Sequence, residues 1–305
     1  RGLGDVYKRQ VTNSFFSNNS ATAANPVTTK QGGAAIRSAG NLTVNSSAFD
    51  RNSFFLSGAN SGGGAVYAAA NLTINQSSFQ NNAAVIGNSA FTTPVSPATY
   101  AASSGGGAIR AGGVTTISGS LFNNNAVFSM ADIWSLKTAA TQGTPAYSGG
   151  GAAYLAGNST ITNTTFYQNR AEQLDVSSFN TAAAQYQNFG LTGISLPASQ
   201  ANGRGLTGGA IVTSGSATAS LTNVTITANS LVNRFANAQN ANFVTGATTN
   251  LSLNDPGGIF NDSTGTVTFL NTINVANTGN AYDSATGMPY IGGALNYAGR
   301  LANSA

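Results

Sequence analysis

The sequence predicts an all-β protein, a right-handed parallel β-helix (solenoid) with long loop insertions along one edge. Two observations carry this prediction. A pair of glycines followed by a small and then an apolar residue recurs along the chain, and a Phe-x-x-Asn tetrapeptide follows each pair at a nearly constant distance. The stretch between one asparagine and the next glycine pair varies in length. A fixed core with a variable link is typical of stacked repeats, in which each repeat forms one turn, or rung.

The two motifs keep their separation in four consecutive repeats. The second glycine of the pair and the phenylalanine lie 16, 15, 15 and 15 residues apart, and the asparagine follows the phenylalanine by three. Glycine permits a turn with positive φ, and asparagine tolerates turns while its amide bonds neighbouring main chain. In two later rungs Ile226 and Asn274 take the phenylalanine position. The residues assigned to the structural motif are Gly33, Phe49, Asn52, Gly64, Phe79, Asn82, Gly107, Phe122, Asn125, Gly151, Phe166 and Asn169.

Apolar and polar residues alternate within each rung. Leu42 and Val44 alternate with polar neighbours, and Leu72 and Ile74 repeat the pattern. This period of two predicts a strand with one buried face. One rung cannot bury that face by itself, so equivalent side chains of successive rungs are expected to stack in ladders. The two ladders predicted in this way are Val44, Ile74, Ile117 and Ile161, and Phe49, Phe79, Phe122 and Phe166.

Composition excludes several classes of function. Charged residues make up 7% of the chain, and cysteine and histidine are absent, so disulfides, thiolate chemistry and imidazole bases or ligands are excluded. No apolar run approaches the ~20 residues of a membrane helix. The net charge of +4 gives no case for a nucleic-acid partner. We therefore expect no cofactor, no metal site, and neither a nucleotide nor a nucleic acid as ligand.

The chain is expected to be one domain preceded by a foreign segment. Residues 1–10 share no pattern with the rest and match the translated end of a sequencing-library adapter, so we interpret them as read-through and not as native. Finding them in an independently assembled gene would refute this interpretation. Residues 11–305 are predicted to form a single parallel β-helix fragment, truncated at both ends, because Phe16 and Asn19 already belong to the second half of a rung.

The paired motifs also resemble a known repeat. Gly-Gly-Ala-(Ile/Leu/Val) and Phe-x-x-Asn are similar to the repeat of the chlamydial-type polymorphic outer membrane proteins, and the first motif stands at 64–66, 107–109, 208–211 and 292–295. The resemblance covers nearly all of 11–305. It implies an autotransporter-like passenger, secreted or on the bacterial outer membrane surface, that acts in adhesion. Its partner would be a protein or glycan of a host or neighbouring cell, with the membrane contacted only through a missing C-terminal segment.

The insertions are where function is expected, because loops on a rigid scaffold commonly carry binding. They span about 53–61, 83–104, 126–148, 170–207, 230–256 and 278–291. Short helices are expected within 127–139 and 171–189. Large aromatic side chains in the longer insertions suit recognition of protein or sugar, with the alternative that they fold back over the open side of the helix. These binding candidates are Phe128, Trp134, Tyr147, Phe179, Tyr186 and Phe189.

Two other functions stay open. A β-helical polysaccharide lyase or glycoside hydrolase would use carboxylates brought together by stacking, and a glycosidase needs such a pair at about 5–9.5 Å. The acids available for this alternative are Asp132, Glu172, Asp175 and Asp255. Under the adhesion hypothesis no residue is assigned as catalytic and the chain is not an enzyme. The third hypothesis is a passive structural stalk whose flat faces present residues such as Thr43 and Thr73.

Overall fold

The chain folds as a parallel β-helix, here described from a computed structural model. The residues that the structure describes are 9–22, 31–56, 61–86, 104–129, 148–173, 188–189, 206–232, 257–263, 265–282, 289–292, 295–297 and 300–303. Over these ranges the regular elements are all strands. Each rung passes through four sheets in turn, named I to IV in the order in which a rung that starts at its glycine pair passes through them.

Sheets I and II form the first half of each rung. Sheet I contains β4 (Ile36–Ser38), β8 (Val66–Ala68), β12 (Ile109–Ala111), β17 (Ala153–Leu155), β22 (Ile211–Gly215), β26 (Ile259–Ser263) and β31 (Leu295–Tyr297). Sheet II contains β1 (Arg9–Thr12), β5 (Leu42–Asn45), β9 (Leu72–Asn75), β13 (Thr115–Ser118), β18 (Ser159–Thr162), β23 (Ala219–Thr222), β27 (Thr266–Leu270) and β32 (Arg300–Asn303).

Sheets III and IV complete the rung. Sheet III contains β2 (Phe15–Ser17), β6 (Ala48–Asp50), β10 (Ser78–Gln80), β14 (Leu121–Asn123), β19 (Thr165–Tyr167), β24 (Thr225–Thr227) and β28 (Ile273–Val275). Sheet IV contains β3 (Ser20–Thr22), β7 (Ser53–Leu56), β11 (Ala83–Ile86), β15 (Ala126–Ser129), β20 (Arg170–Gln173), β25 (Ser230–Val232), β29 (Thr278–Tyr282) and the antiparallel β30 (Pro289–Gly292). Two further short strands, β16 (Ser148–Gly149) and β21 (Leu206–Thr207), pair with each other in parallel.

Sheets I, II and III enclose the hydrophobic core. The predicted aliphatic ladder is confirmed: Val44 pairs in register with Ile74, and the column continues through the equivalent residues of the next rungs. The predicted phenylalanine ladder is confirmed as well, with ring centroids 4.7–4.9 Å apart and nearly parallel planes. Ile226 and then Asn274 extend that column, as expected from the sequence. These side chains are buried because each one is covered by its equivalent in the neighbouring rung.

The asparagines form a hydrogen-bonded ladder at the corner between sheets III and IV. Asn82 shows the pattern: its Nδ2 donates to Oδ1 of Asn125 at 2.9 Å and to the carbonyl of Phe49 at 3.0 Å. Each amide therefore ties its own rung to the rung before and to the rung after. The six amide–amide bonds of this ladder point toward the C-terminal end, and its last residue, Asn277, donates to Asn274 within its own rung. The neighbouring Asn124 donates in the opposite direction, to Oδ1 of Asn81.

A second polar ladder, at the corner between sheets II and III, was not predicted. The main-chain N–H of Ser47 donates to Oγ of Ser77 at 3.1 Å, and the N–H of Ser77 donates to Oγ of Ser120 at 3.1 Å. Each hydroxyl in turn donates to a carbonyl two residues earlier in its own rung. The column starts at Ser14 and reaches Thr164 before Val224 replaces the hydroxyl. These hydroxyls satisfy corner amides that would otherwise be buried without partners.

The register corrects the sequence alignment of the glycines. Gly62 pairs with Gly32 and with Gly105, so Gly33 is equivalent to Gly63 and Ala34 is equivalent to Gly64. With this register the spacing to the phenylalanine is 15 in all four repeats. In the repeats of Gly64, Gly107 and Gly151 the left-handed residue is the one before the assigned glycine, as in Gly63 at φ +71°, whereas in the first repeat it is Gly33 itself at φ +74°. A Cβ on Gly64, Gly107 or Gly151 would overlap a carbonyl of the next rung, and a Cβ on Gly33 would overlap the carbonyl of Ile36 in its own rung.

Sheet IV corrects the expected insertion boundaries. The residues directly after each ladder asparagine form a strand of three to five residues and are not part of a loop. Of the ranges 127–139 and 171–189, in which short helices were predicted, 127–129 and 171–173 are strand and 188–189 form a turn, and the other positions lie outside the described residues. In these strands consecutive residues are buried, for example Ala83, Ala84 and Val85. The alternation that identifies a strand with one buried face is therefore absent from them.

Candidate functional site

The edge between sheet IV and the next sheet I is the place where the rungs differ. The other three corners connect their strands through two or three residues in every described rung. Between the strands of sheet IV and sheet I, the connection at this edge ranges from nine residues, 57–65, to 37 residues, 174–210, which include β21. The prediction that variation in length is confined to one edge is confirmed, and we name this side the insertion edge. Because the rungs stack in register, the insertions follow one another along the length of the helix.

A cluster of aromatic and charged side chains lies where the insertion edge meets sheet IV. Phe128 in β15 pairs in register with Glu172 in β20. The ring of Phe189, from the insertion after β20, meets the Phe128 ring edge-on at 5.2 Å between centroids and 87° between planes. Arg170 places its guanidinium 4.7 Å from the centre of Phe189 and 5.4 Å from that of Phe128. Its Nη1 lies 3.5 Å from Oε2 of Glu172.

The burial of this cluster decides which of its predicted roles fits. Phe128 and Phe189 are fully buried, and Glu172 is 3% exposed. Phe128 belongs to strand β15, and the ring of Phe189 packs against it from the insertion after β20, so both rings lie inside the fold. Glu172 lies in a strand and is charge-paired with Arg170 beneath these rings. Its geometry is that of a structural ion pair, whose partners stabilise each other's charge away from water.

The other predicted site residues lie outside the described residues. These are the binding candidates Trp134, Tyr147, Phe179 and Tyr186, and the acids Asp132, Asp175 and Asp255. The carboxylate pair that glycosidase chemistry requires therefore stays a prediction. Across the described ranges no group of three or more acidic side chains gathers as a metal site would require.

A column of alternating arginine and tyrosine lines the outer face of sheet I, and sequence reasoning missed it. Arg37, Tyr67, Arg110 and Tyr154 follow one another in register, one per rung. Tyr67, Arg110 and Tyr154 are almost completely buried, and the guanidinium of Arg110 lies 4.4 Å from the centre of the Tyr154 ring. In the sequence each of these four residues directly follows the apolar residue of a glycine motif, as Tyr67 follows Val66 and Arg110 follows Ile109. The column becomes visible only when the repeats are aligned at that position.

Burial governs the electrostatics of this column. Loss of water around the guanidinium lowers the pKa of Arg110, and the nearby hydroxyls of Tyr154 and Tyr67 partly oppose that effect. Burial likewise raises the pKa of Tyr67, against the opposing influence of Arg110 and Arg37. Nη1 of Arg110 is buried without a hydrogen-bond partner among the described residues. Burial of the Arg110 guanidinium therefore destabilises the folded state, and its cation–π contact with Tyr154 partly offsets this cost.

In the described part of the chain there is no helix with the length and apolar character needed to cross a membrane. Comparisons with protein-family models, with curated proteins and with solved structures find no match to this chain.

Proposed function

We propose that this chain is the rigid recognition part of a bacterial surface-exposed or secreted protein, and that its insertion edge binds a protein or glycan of a host or neighbouring cell. The paired glycine and Phe-x-x-Asn motifs, which resemble the repeat of polymorphic outer membrane proteins, support the placement at the bacterial surface and an autotransporter-like passenger. Adhesion is the function that such a placement serves.

One observation carries this proposal: among the described strands the other three corners vary in length by at most one residue, and the large variation is confined to the insertion edge. Two of these corners hold ladders of hydroxyl and amide groups that bond from rung to rung, and both have two residues between their strands in the described rungs. A scaffold that is uniform on three sides and variable on the fourth supports different loops without changing its core. The loops that provide specificity in many binding proteins are carried by rigid elements in this way.

The experiment uses a natural short connection as a replacement for longer ones. Residues 57–60 join the position of Leu56 to that of Ser61, and Ser129 and Ser148 occupy the equivalent positions two rungs later. Replacing 130–147 by the sequence of 57–60 therefore shortens one insertion without changing the ends that the rung must join. Binding of the fluorescently labelled chain to mammalian and bacterial cells, and to arrays of surface proteins and glycans, is then measured.

We expect this replacement to reduce binding at least about tenfold while the thermal unfolding midpoint changes little. The matched control is Tyr167→Ala, which removes a 39% exposed aromatic side chain from sheet III, away from the insertion edge. Equal binding by the shortened variant, the control and the unchanged chain would favour the passive stalk. Cleavage of a polysaccharide that is lost in Asp132→Asn or Asp175→Asn would instead favour the enzyme.

A further inference from the structure

A groove follows the corner between sheets II and III, on a side of the helix different from the insertion edge. It has a volume of about 730 Å³ and crosses five rungs, from Asn13 to Asn163. At the usual separation of ~4.8 Å between strands, five rungs correspond to a length of about 19 Å. One wall is formed by the exposed corner residues, and the other by outward side chains of sheet III. The floor is formed by the hydroxyl ladder of Ser14, Ser47, Ser77 and Ser120.

The polar groups of the groove divide into two sets. The hydroxyls of the floor are used within the fold, since they accept from corner amides and donate to carbonyls. The side chains of Ser46, Gln76, Ser78 and Thr165 form no hydrogen bond to other described residues, although all four line the groove. Hydroxyl and carboxamide groups both donate and accept hydrogen bonds. The carboxamide of Asn13 likewise forms no hydrogen bond to other described residues, so the walls present unused donors and acceptors at four of the five rungs, the exception being the rung of Gly119 and Leu121.

The groove also lacks charge, and it has an aromatic end. None of its lining residues is ionisable. Phe15 stands at the N-terminal end with 69% of its surface exposed, the largest exposure among the described large apolar side chains. Leu121 gives a second apolar surface opposite Gly119, where the corner wall has no side chain. A ligand that fits must therefore be uncharged, elongated and rich in hydroxyls, with an apolar face that can stack on a ring.

We propose that this groove binds a neutral linear polysaccharide, with its chain parallel to the axis of the β-helix. A pyranose ring offers hydroxyl edges for the wall side chains and a C–H face for Phe15. The repeat of donors and acceptors every ~4.8 Å is comparable to the length of one sugar unit along an extended chain. This inference does not depend on the proposed role of the insertion edge.

An extended peptide fits the groove less well. Peptides bind sheets by adding a strand to an unpaired edge, but the groove runs across the strands of sheets II and III, whose inner strands are already paired on both sides. An anionic polymer would find no cationic side chain in the lining to compensate its charge. The neutral polysaccharide is thus the occupant that the chemistry of the walls favours.

The test measures binding of the full chain to defined sugars. Hexasaccharides of β-1,4-linked glucose, β-1,3-linked glucose and β-1,4-linked mannose serve as neutral probes, with oligogalacturonate as the anionic comparison. Affinity is measured by calorimetry and by saturation-transfer NMR. We expect at least one neutral probe to bind and the anionic probe not to bind. Ser78→Arg places a long cation in the middle of the groove and should lower affinity at least about tenfold.

A matched control separates occlusion of the groove from added charge. Thr73→Arg adds the same charge to the same rung but on the outer face of sheet II, outside the groove, so affinity should change less than about twofold. Phe15→Ala should weaken binding about three- to tenfold and leave the unfolding midpoint nearly unchanged, because the ring is exposed. The insertion variant lacking 130–147 should retain full affinity for the sugar.

Three outcomes would overturn the proposal. The first is that no neutral probe binds at millimolar concentration, and the second is that the anionic probe binds as well as the neutral ones. The third is that Ser78→Arg and Thr73→Arg have equal effects on affinity. If Ser78→Arg abolishes binding of a protein or peptide while no sugar binds, the groove belongs to a protein partner instead.

Discussion

The amide ladder predicts that replacing one central asparagine costs more stability than removing most single core contacts. The side chain of Asn125 makes four hydrogen bonds. Its Nδ2 donates to Oδ1 of Asn169 at 3.0 Å and to the carbonyl of Phe79 at 2.9 Å. Its Oδ1 accepts from the main-chain N–H and from Nδ2 of Asn82, at 3.1 and 2.9 Å. All of these groups are buried, so Asn125→Ala removes the bonds where water cannot replace them.

The expected cost follows from counting these bonds. A buried hydrogen bond contributes about 1 kcal/mol net, so four of them correspond to about 4 kcal/mol. The N–H of Asn82 then remains buried without its partner, which adds about 1 kcal/mol or more. We therefore expect Asn125→Ala to lower the free energy of unfolding by about 4–5 kcal/mol, a large part of the roughly 5–15 kcal/mol typical of a folded domain.

The assay is guanidinium unfolding followed by far-UV circular dichroism, combined with hydrogen exchange of the Asn82 amide. Asn19→Ala is the matched control. Asn19 is half-buried, and its side chain donates one hydrogen bond, to Oδ1 of Asn52 at 2.7 Å, so the expected loss is about 1 kcal/mol. Equal losses in the two variants, or slow exchange of the Asn82 amide in Asn125→Ala, would show that the amide ladder does not stabilise the stack.

Four further substitutions test other parts of the structure. Gly106→Ala should prevent folding or lower the free energy of unfolding by more than about 2 kcal/mol, because φ is +78° and the new Cβ would overlap the Ile109 carbonyl. Gly40 has open space around it, so Gly40→Ala should be neutral. Thermal unfolding measures both variants. Phe79→Ala should cost about 3–5 kcal/mol in chemical denaturation, since its ring is buried between two others. Glu172→Gln should lower the unfolding midpoint by the equivalent of about 2 kcal/mol, whereas a purely catalytic role predicts no change in that midpoint. Arg110→Met should cost less than about 1 kcal/mol in denaturation, or stabilise, because it removes a buried cation whose Nη1 has no partner among the described residues; a loss above about 3 kcal/mol would contradict this.

The parts of the fold that could be predicted are those in which neighbouring residues in the sequence carry the pattern. The alternation of Leu42 and Val44 with polar residues identifies a strand because only one of its faces is buried. The phenylalanine and asparagine columns could be predicted because each rung places the same residue at the same distance from its glycine pair. Local periodicity and constant spacing therefore sufficed for the sheets and ladders of the core.

What could not be predicted depends on contacts between rungs that leave no local pattern. The strands of sheet IV are buried at consecutive positions, so residues such as Ala83 and Ala84 show neither period two nor a turn signal. The hydroxyl ladder depends on Ser47 and Ser77 bonding across 30 residues, and serine is common before strands and in turns of every kind. The groove is formed by side chains from five rungs and has no counterpart in any single motif. The glycine register was ambiguous by one residue because three glycines in a row offer two alignments.

The common direction of the amide ladder gives this column an electrical polarity along the helix axis. From Asn19 to Asn229 each carboxamide of this ladder donates toward the next rung, so the dipoles within the ladder add along the axis and strengthen one another. The amides of Asn75, Asn124 and Asn223, outside the ladder, donate toward the preceding rung. A rung inserted in the reverse orientation would place two carbonyls or two amino groups face to face. Addition of rungs is therefore vectorial: any rung built into this stack must present an acceptor on one side and a donor on the other. Substitutions in neighbouring asparagines should accordingly have effects that do not simply add.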